Sequence, residues 1–240
     1  MPGSPLNALH VKPPFPELHL IDLDRERVGE LQKLTAGDKR VTVHQGDCND
    51  VLLREVFPRC QYADYHRALC LLDPYGLNVN WEVLQKAGEM KSVEVFYNFM
   101  IMDANMNVFW RDRSKAPPVQ VARMKAVRGD DSWPSAAYLK TPGLFGDVEE
   151  KATNEDIASA FRDRLKGVAG FEYVPDPIPM RNSKGAIVYY LFFASPNKTG
   201  ADFVRQIFDK YRNQGAQRWP ATRQSNGPGR RGIRSPAATK

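Results

Sequence analysis

The sequence predicts an open, doubly wound α/β domain with a mostly parallel sheet. Strand and helix alternate four times between residues 17 and 99, at the spacing of βαβ units. The strands are continuous apolar runs, which is typical of parallel sheets covered by helices on both faces. A Rossmann-like domain is therefore the expected architecture.

Each element follows from a local pattern. The first 16 residues contain five prolines and no helical period, so they are expected to form a loop. Asp24 and Asn49 are candidate N-caps for the first two helices, and Thr153 with Asp156 signals another. Predicted strands are 17–21, 41–44, 67–72, 92–99, 171–179 and 186–194, the last being central; predicted helices are 25–34, 49–57, 80–90, 153–165 and 202–211.

Residues 100–151 interrupt this alternation. The segment is rich in proline and tryptophan and has a helical pattern at 119–127. Because about 50 residues exceed an ordinary connection in such a fold, a helical insertion is expected here. Trp110 and Trp133 could stack on a base, but the small core of the insertion is the favoured location for both. The predicted domain spans residues 1–213.

Residues 214–240 differ in composition from the rest of the chain. They contain no acidic residue and six of the 34 basic residues, so the remaining 28 basic residues balance the 28 acidic ones. Gly, Pro, Ser and Arg dominate this segment, which predicts a disordered basic tail. The tail could attract phosphates of nucleic acid, or it could simply be a solubilising end.

Several functional classes are disfavoured. No apolar run is long enough to span a bilayer, and the N-terminus lacks the charge order of a signal peptide. The three cysteines form no CxxC pair, which argues against a disulfide framework and against a zinc knuckle. The four histidines show no metal-ligand spacing, so no metal site is predicted. A cytoplasmic protein is the expectation.

Three of the predicted strands end in an aspartate: Asp22, Asp47 and Asp73. Parallel strands end on the same edge of a sheet, where ligands of doubly wound domains bind. Although a single such residue is commonly a turn or cap, three of them predict a shared cleft. Asp22 suits ribose hydroxyls, and Asp47 with the main-chain N–H of Cys48 suits an adenine edge.

The segment that follows the third predicted strand contains an aromatic residue beside its aspartate. Asp73-Pro74-Tyr75 combines a carboxylate with a flat aromatic side chain. A planar substrate that carries an amine could stack on such a ring and donate to such a carboxylate. Asn98 and Phe99, at the end of the fourth strand, are expected on the same cleft edge as substrate contacts.

These segments resemble the S-adenosylmethionine-dependent class I methyltransferase superfamily, and more closely the three-Cys-motif partner family, a bacterial family. The resemblance covers most of the chain apart from the basic tail. It rests on LIDLD (20–24), VHQGDCNDVL (43–52), LLDPYGLNVNW (71–81), VFYNF (95–99), NMNVFWRD (105–112), RGDDSWPSAAY (128–138) and VYYLFFASPNKTGADF (188–203).

The resemblance implies a methyl-donor site built from the early part of the chain. Asp22 would hold the ribose hydroxyls of S-adenosylmethionine, with Leu23 against the adenine. Asp47 and the main chain of Cys48 would bind the adenine edge. Ser4 would lie just after the glycine-rich turn, which implies that Met1 begins inside the domain and that the first strand is missing.

The resemblance implies a methyl-acceptor site at the third strand. Asp73, Pro74 and Tyr75 would occupy the (D/N)PP(Y/F) motif of amino-methyltransferases, where the carboxylate and the next carbonyl hold the target amine. This chain has one proline instead of two, and a glycine follows the tyrosine. The implied activity is methylation of an amine on a nucleic acid or nucleotide-like substrate, with a three-Cys-motif protein as the implied partner.

Two further functional classes stay open at this point. A non-catalytic methyltransferase-fold protein could bind another protein, and nucleic acid through its basic tail; the missing glycine loop favours this alternative. A nicotinamide-dependent dehydrogenase is weaker, because no GxGxxG precedes Asp22.

Overall fold

The computed structural model of the protein describes residues 4–110, 112–143 and 146–213. The predicted basic tail lies outside these residues. The strands in the described part are β1 (Leu18–Asp22), β2 (Val41–Gln45), β3 (Ala68–Leu72), β4 (Val93–Phe99), β5 (Tyr138–Gly143), β6 (Gly146–Lys151), β7 (Ile178–Arg181) and β8 (Ile187–Ala194).

Helices connect these strands over most of the chain. The described α-helices are α1 (Ser4–Leu9), α2 (Arg25–Leu34), α3 (Cys48–Val51), α4 (Trp81–Met90), α5 (Ile101–Asn107), α6 (Pro118–Arg128), α7 (Trp133–Ala137), α8 (Asn154–Gly167) and α9 (Lys198–Asn213). After α3 the chain continues through a π-helical turn at Leu52–Val56 and a 3₁₀ turn at Phe57–Arg59. The chain is thus an α/β protein, as predicted.

Several helix starts follow directly from the sequence. The side chain of Asp24 accepts hydrogen bonds from the main chain of Glu26 and Arg27 and caps α2. Thr153 and Asp156 form a reciprocal capping box at α8. The expectation of a loop throughout residues 1–16 is wrong, because α1 forms at 4–9, where a proline in the first turn is compatible with a helix.

The described strands form a mixed arrangement, and the prediction of a mostly parallel, doubly wound sheet is wrong in this respect. β1 pairs parallel with β2 in one two-stranded sheet. A second sheet has the order β3-β4-β8-β7, in which β3 and β4 are parallel while β8 is antiparallel to both of its neighbours. A tight turn over residues 182–186, closed by hydrogen bonds between Asn182 and Ala186, permits only antiparallel pairing of β7 with β8.

Two details of the second sheet matter for the site. The interior position of β8, between β4 and β7, confirms the prediction that this apolar strand is central. β3 is covered on one face only: Leu69 and Leu71 on its other face are 40% and 53% exposed. The expectation that helices cover both faces therefore does not hold at β3.

The main core lies between this sheet and the helices that precede and follow β4. β4 alternates buried and partly exposed side chains along its whole length. Phe99 is fully buried and stacks on Phe161 of α8, with ring centroids 4.8 Å apart. Phe192 of β8 packs against the same pair. This aromatic cluster fixes β4 and β8 beneath α8.

The segment predicted as an insertion contains α5, α6 and α7 and also an antiparallel hairpin of β5 and β6. The hairpin was not predicted, because Pro142 argues against a strand in a sequence pattern. Trp133 is buried beside Phe109, which agrees with the preferred core location. Trp110 is 38% exposed and donates to the main-chain carbonyl of Met106.

Candidate functional site

The carboxyl ends of the first strands are tied together by main-chain and side-chain hydrogen bonds. The N–H of Gly46, after β2, donates to the carbonyl of Asp22 at the end of β1 at 3.1 Å. The buried Asn49 donates from Nδ2 to the carbonyl of Asn78 at 2.9 Å and accepts from the N–H of Asn80 at 2.8 Å. The ends of β1, β2 and β3 therefore lie at one edge of the molecule.

Asn49 has a different role from the predicted one. The N-cap of α3 is Asp47, whose Oδ1 accepts from both the N–H and the Nδ2 of Asn49 at 2.8 Å. Asn49 is the bridge between this helix start and the loop after β3. Both Asp47 and Asn49 are residue types that commonly cap helices, and no local pattern shows which of them does so. The sequence analysis therefore assigned the N-cap to Asn49 instead of Asp47.

Asp73 and Asn98 meet directly at this edge. The Nδ2 of Asn98, near the end of β4, donates to the Oδ1 of Asp73 at 2.6 Å. Tyr75, two residues further along the loop, is 93% exposed, while Pro74 is partly buried. A carboxylate fixed by an amide thus stands close in sequence to an aromatic side chain that contributes almost nothing to the core.

The loop that carries Tyr75 is held by the insertion. Gly76 is buried with φ +121°, and the N–H of Leu77 donates to the Oδ2 of Asp103 on α5 at 3.0 Å. Arg123 on α6 donates to the Oδ1 of Asn78 at 3.0 Å and lies 3.5 Å from the same Asp103 oxygen. We call Asp103 and Arg123 the loop clamp.

Asp22 and Leu23 form the predicted donor side. The Oδ1 of Asp22 accepts from the N–H of Asp24 at 2.8 Å, and its Oδ2 lies 3.6 Å from a guanidinium nitrogen of Arg27. Leu23 is 72% exposed. The Oδ1 of Asp22 is therefore used by the turn, while its Oδ2 makes only a long ion pair with Arg27. Leu23, whose side chain is exposed, is the next residue in the chain.

Cys48 lies at the first position of α3 and is partly buried. Burial, and to a lesser extent the neighbouring carboxylate of Asp47, raise the pKa of its thiol. Both effects keep the thiol protonated, so its side chain is not a nucleophile at neutral pH.

Two predicted contacts are placed away from this edge. Phe99 points into the aromatic core, which corrects its expected position as a substrate contact, because alternate side chains of a strand face opposite sides. Ser4 begins α1, whose last residue, Leu9, accepts a hydrogen bond from Arg40 just before β2. Among the described residues, no hydrogen bond or ion pair joins Ser4 to Asp22, Asp47 or Asp73.

Tyr189 is a residue that the sequence did not single out. β4 and β8 pair Asn98 with Leu191, so Tyr189, two positions along β8, projects from the same face as Asn98. Burial and then the nearby carboxylate of Asp73 raise the pKa of its hydroxyl. The hydroxyl is therefore a neutral hydrogen-bond donor close to the Asp73–Asn98 pair, and only knowledge of the strand pairing could have located it.

The structure also brings together two histidines that are 25 residues apart. The Nδ1 of His19 on β1 lies 2.9 Å from the Nε2 of His44 on β2. Glu17 lies 3.1 Å from His19, and Glu55 lies 3.1 Å from His44. In the described part of the chain, no three His, Cys, Asp or Glu residues are arranged to hold a metal ion.

Scans of protein-family models, curated proteins and solved structures found no match to this chain. Of the described helices, none has both the length and the apolarity needed to cross a bilayer.

Proposed function

We propose that the protein is an S-adenosylmethionine-dependent methyltransferase of the three-Cys-motif partner type, which methylates an amine of a nucleic acid or nucleotide-like substrate. The observation that carries the proposal is the exposed ring of Tyr75, next to the hydrogen-bonded Asp73 and Asn98. The ring of Tyr75 takes no part in the core, and it is exposed for ligand stacking on a loop that the partly buried loop clamp holds.

The acceptor side acts by positioning. The ring of Tyr75 stacks on a planar base, and the carboxylate of Asp73 accepts a hydrogen bond from the target amine and orients its lone pair. Asn98 keeps this carboxylate in place, since it donates to Oδ1 and leaves Oδ2 for the substrate. When bound, a sulfonium donor would supply the electrophilic methyl group and leave as a neutral thioether, and the methylated nitrogen would lose its extra proton to solvent. This chain would contribute alignment and charge.

The donor side is compatible with an adenosine. Asp22 keeps one carboxylate oxygen available for ribose hydroxyls, and Leu23 offers an uncovered apolar surface for the adenine ring. The carboxylate of Asp47 already accepts two hydrogen bonds from Asn49, so the adenine edge would depend on its second oxygen and on the main chain. A ribose contact at Asp22 is thus the better test of this half of the proposal.

Calorimetry with S-adenosylmethionine tests the donor side. Asp22→Asn is expected to abolish the binding heat, because the amide removes acceptor charge from the ribose site. Asp24→Asn is the matched control: asparagine also caps α2, so binding is expected to persist. Binding that survives Asp22→Asn would refute this donor site.

Transfer of a radiolabelled methyl group to single-stranded DNA, RNA and free nucleosides tests the acceptor side. Asp73→Ala is expected to eliminate transfer while donor binding is kept. Loss of both would indicate a folding defect instead of a positioning role for Asp73.

A second candidate function is that of a non-catalytic binding protein. The observation that favours it is the division of the strands into a β1–β2 sheet and a separate four-stranded sheet. In that case S-adenosylmethionine would give no binding heat while a protein partner would bind. The free cysteines fit the proposed cytoplasmic location in either case.

A further inference from the structure

Trp110 lies at the surface just after α5, although the sequence analysis favoured a core location for it. Its side chain is 38% exposed, and its Nε1 donates to the carbonyl of Met106, in the last turn of α5, at 2.9 Å. The carbonyl of Trp110 accepts a hydrogen bond from the hydroxyl of Tyr138 at 2.7 Å. Because the polar atom of the indole is already paired, Trp110 is held in place and offers its ring surface to a ligand.

Trp110 borders an open cleft of about 620 Å³, which is within the range of roughly 300–1,000 Å³ that is usual for ligand sites. Phe109, which is almost fully buried, contributes an apolar wall to it. We call this space the Trp110 cleft. Its lining residues are Asn105, Phe109, Trp110, Asp112 and Lys115.

One buried acceptor in the wall of the Trp110 cleft has no partner. The Nδ2 of Asn105 donates to the Oδ1 of Asn154 at 3.0 Å. The Oδ1 of Asn105 is buried and, among the described residues, accepts no hydrogen bond. Buried polar atoms are nearly always paired, so this oxygen favours a ligand that brings an N–H donor.

Positive charge at the Trp110 cleft is only partly neutralised. The ammonium of Lys115 lies 3.5 Å from Asp112, whose other oxygen already accepts two hydrogen bonds from Ser114. The Nζ of Lys151 lies 5.9 Å from the centre of the Phe109 ring, and no carboxylate in the described part of the chain pairs with it. The two lysines outnumber the single carboxylate, so an anionic group is favoured beside them.

These groups distinguish between classes of ligand. An aliphatic side chain would leave Asn105 and both lysines without partners. An arginine or lysine side chain of a partner would meet Lys115 and Lys151 with like charge, and a carboxylate side chain has no ring to place on Trp110. A nucleotide has all the complementary parts, because it combines a flat base, N–H donors on the edge of that base and an anionic phosphate.

We propose that the Trp110 cleft binds one unpaired base of a single-stranded nucleic acid, which stacks on Trp110 and donates to Asn105 while its phosphate lies near Lys115 and Lys151. An unpaired base is required, because the faces of a base within a duplex are covered by its neighbours. The inference rests on the proposed function, since it names single-stranded nucleic acid as the substrate class and gives a base beside the target its own site.

The position of the Trp110 cleft suits such a substrate. Asp103 of the loop clamp and Asn105 of the cleft both belong to α5, which has seven residues and is therefore about 10 Å long. A strand whose target base lies at Tyr75 is therefore expected to pass within reach of Trp110.

Fluorescence anisotropy with a labelled oligodeoxyadenylate of about ten nucleotides tests the proposal on the full chain. The assay contains no S-adenosylmethionine, and about 0.2 M salt weakens non-specific attraction to the basic residues of 214–240. Trp110→Ala is expected to weaken binding by about 5-fold to 150-fold, because one stacked base is lost. Trp110→Phe keeps an aromatic ring and is expected to stay within about threefold of the wild type. Tyr62→Ala, at a 57% exposed aromatic before β3, is the matched control and is expected to bind like the wild type.

Photocrosslinking of the wild-type protein supplies a measurement that needs no variant. An oligonucleotide that contains 5-bromouracil is expected to crosslink to Trp110, as located by mass spectrometry of the peptides. Thermal unfolding shows whether each variant is folded, and the crosslink decides the question if Trp110→Ala is not.

Several results would overturn the proposal. They are equal binding by folded Trp110→Ala and the wild type, equal binding of an abasic oligonucleotide, and crosslinks found only outside the Trp110 cleft. Adenosine monophosphate bound as tightly as the oligonucleotide would overturn it in favour of a free nucleotide. Oligonucleotide binding that depends on Trp110, without any methyl transfer, would refute only the proposed activity, whereas methylation of nucleosides without oligonucleotide binding would refute only this inference.

Discussion

The Oδ2 atom of Asp103 accepts a hydrogen bond from the main-chain N–H of Leu77 at 3.0 Å. This contact joins α5, in the insertion, to the loop that carries the exposed Tyr75. Arg123 lies 3.5 Å from the same oxygen and neutralises its charge. The insertion therefore sets the shape of the loop after β3, and a perturbation of this contact is expected to affect the candidate site before it affects the main core.

Gly76→Ala tests how closely the loop and the clamp fit. A Cβ at Gly76 would lie 2.9 Å from the Oδ2 of Asp103 and 3.1 Å from Arg123, and φ is +121°. We expect backbone strain of roughly 1–3 kcal/mol, plus about 1–3 kcal/mol for the displaced clamp. Urea denaturation measures the sum.

Gly37→Ala is the matched control for this substitution. Gly37 also has a positive φ, +92°, but a Cβ there meets nothing within 4 Å. It is expected to show the backbone strain alone. Equal losses of stability for the two variants would contradict the close fit at Gly76.

Phe99→Ala and Tyr75→Ala separate a core aromatic from a candidate ligand contact. Phe99 is fully buried against Phe161, so its truncation is expected to cost about 3–5 kcal/mol of unfolding free energy. Tyr75 is 93% exposed, so its truncation is expected to change stability by less than about 0.5 kcal/mol. Thermal and urea unfolding measure the change in unfolding free energy for both variants. A large destabilisation by Tyr75→Ala would mean that the ring packs in the core.

Local signals in the sequence were sufficient for the elements that depend on a few neighbouring residues. The N-cap at Asp24 and the capping box at Thr153 act within one helical turn, and both are found in the structure. The apolar period of α2 predicted the helix itself, but of its three apolar residues only Val28 is buried, while Leu34 is 60% exposed. The alternation of strands and helices was equally visible.

Features that depend on distant residues were not predictable in this way. Phe99 and Asn98 are adjacent in sequence, yet Phe99 enters the core while Asn98 bonds to Asp73 on the opposite face, because β4 has a side-chain period of two. Tyr189 reaches the site through the pairing of β8 with β4, which one sequence does not specify. The sequence likewise does not specify that β1 and β3 belong to different sheets.

The reactivity of the cysteines provides another prediction. Burial raises the pKa of Cys70 to about 12, with smaller contributions from the thiols of Cys48 and Cys60, and burial also raises the pKa of those two thiols. Because only thiolates react appreciably, Ellman's reagent at about pH 8 is expected to modify the folded protein slowly, and Cys70 most slowly. In denaturant all three are expected to react rapidly. A fast stoichiometric reaction of the folded protein would contradict the prediction.

The His19–His44 pair predicts a pH-dependent stability. Burial is the main cause that lowers the pKa of His19 from 6.5; Glu17 opposes it, while His44 and Arg59 add to it. The unfolded chain therefore takes up a proton on His19 at a higher pH than the folded chain does. The contribution to stability is complete above pH 6.5 and is lost as the pH falls through the lower folded-state pKa.

The geometry adds a reason for this loss. In the 2.9 Å contact between the Nδ1 of His19 and the Nε2 of His44, one nitrogen donates and the other must accept. If both rings were protonated, two N–H donors would face each other. We therefore expect the urea concentration at the unfolding midpoint to decrease as the pH is lowered from about 7.5 to about 5.5. His19→Gln is expected to make this decrease smaller. His10→Gln, at an exposed position, is the matched control and should leave the slope unchanged. A slope that persists in His19→Gln would assign the pH dependence to other groups.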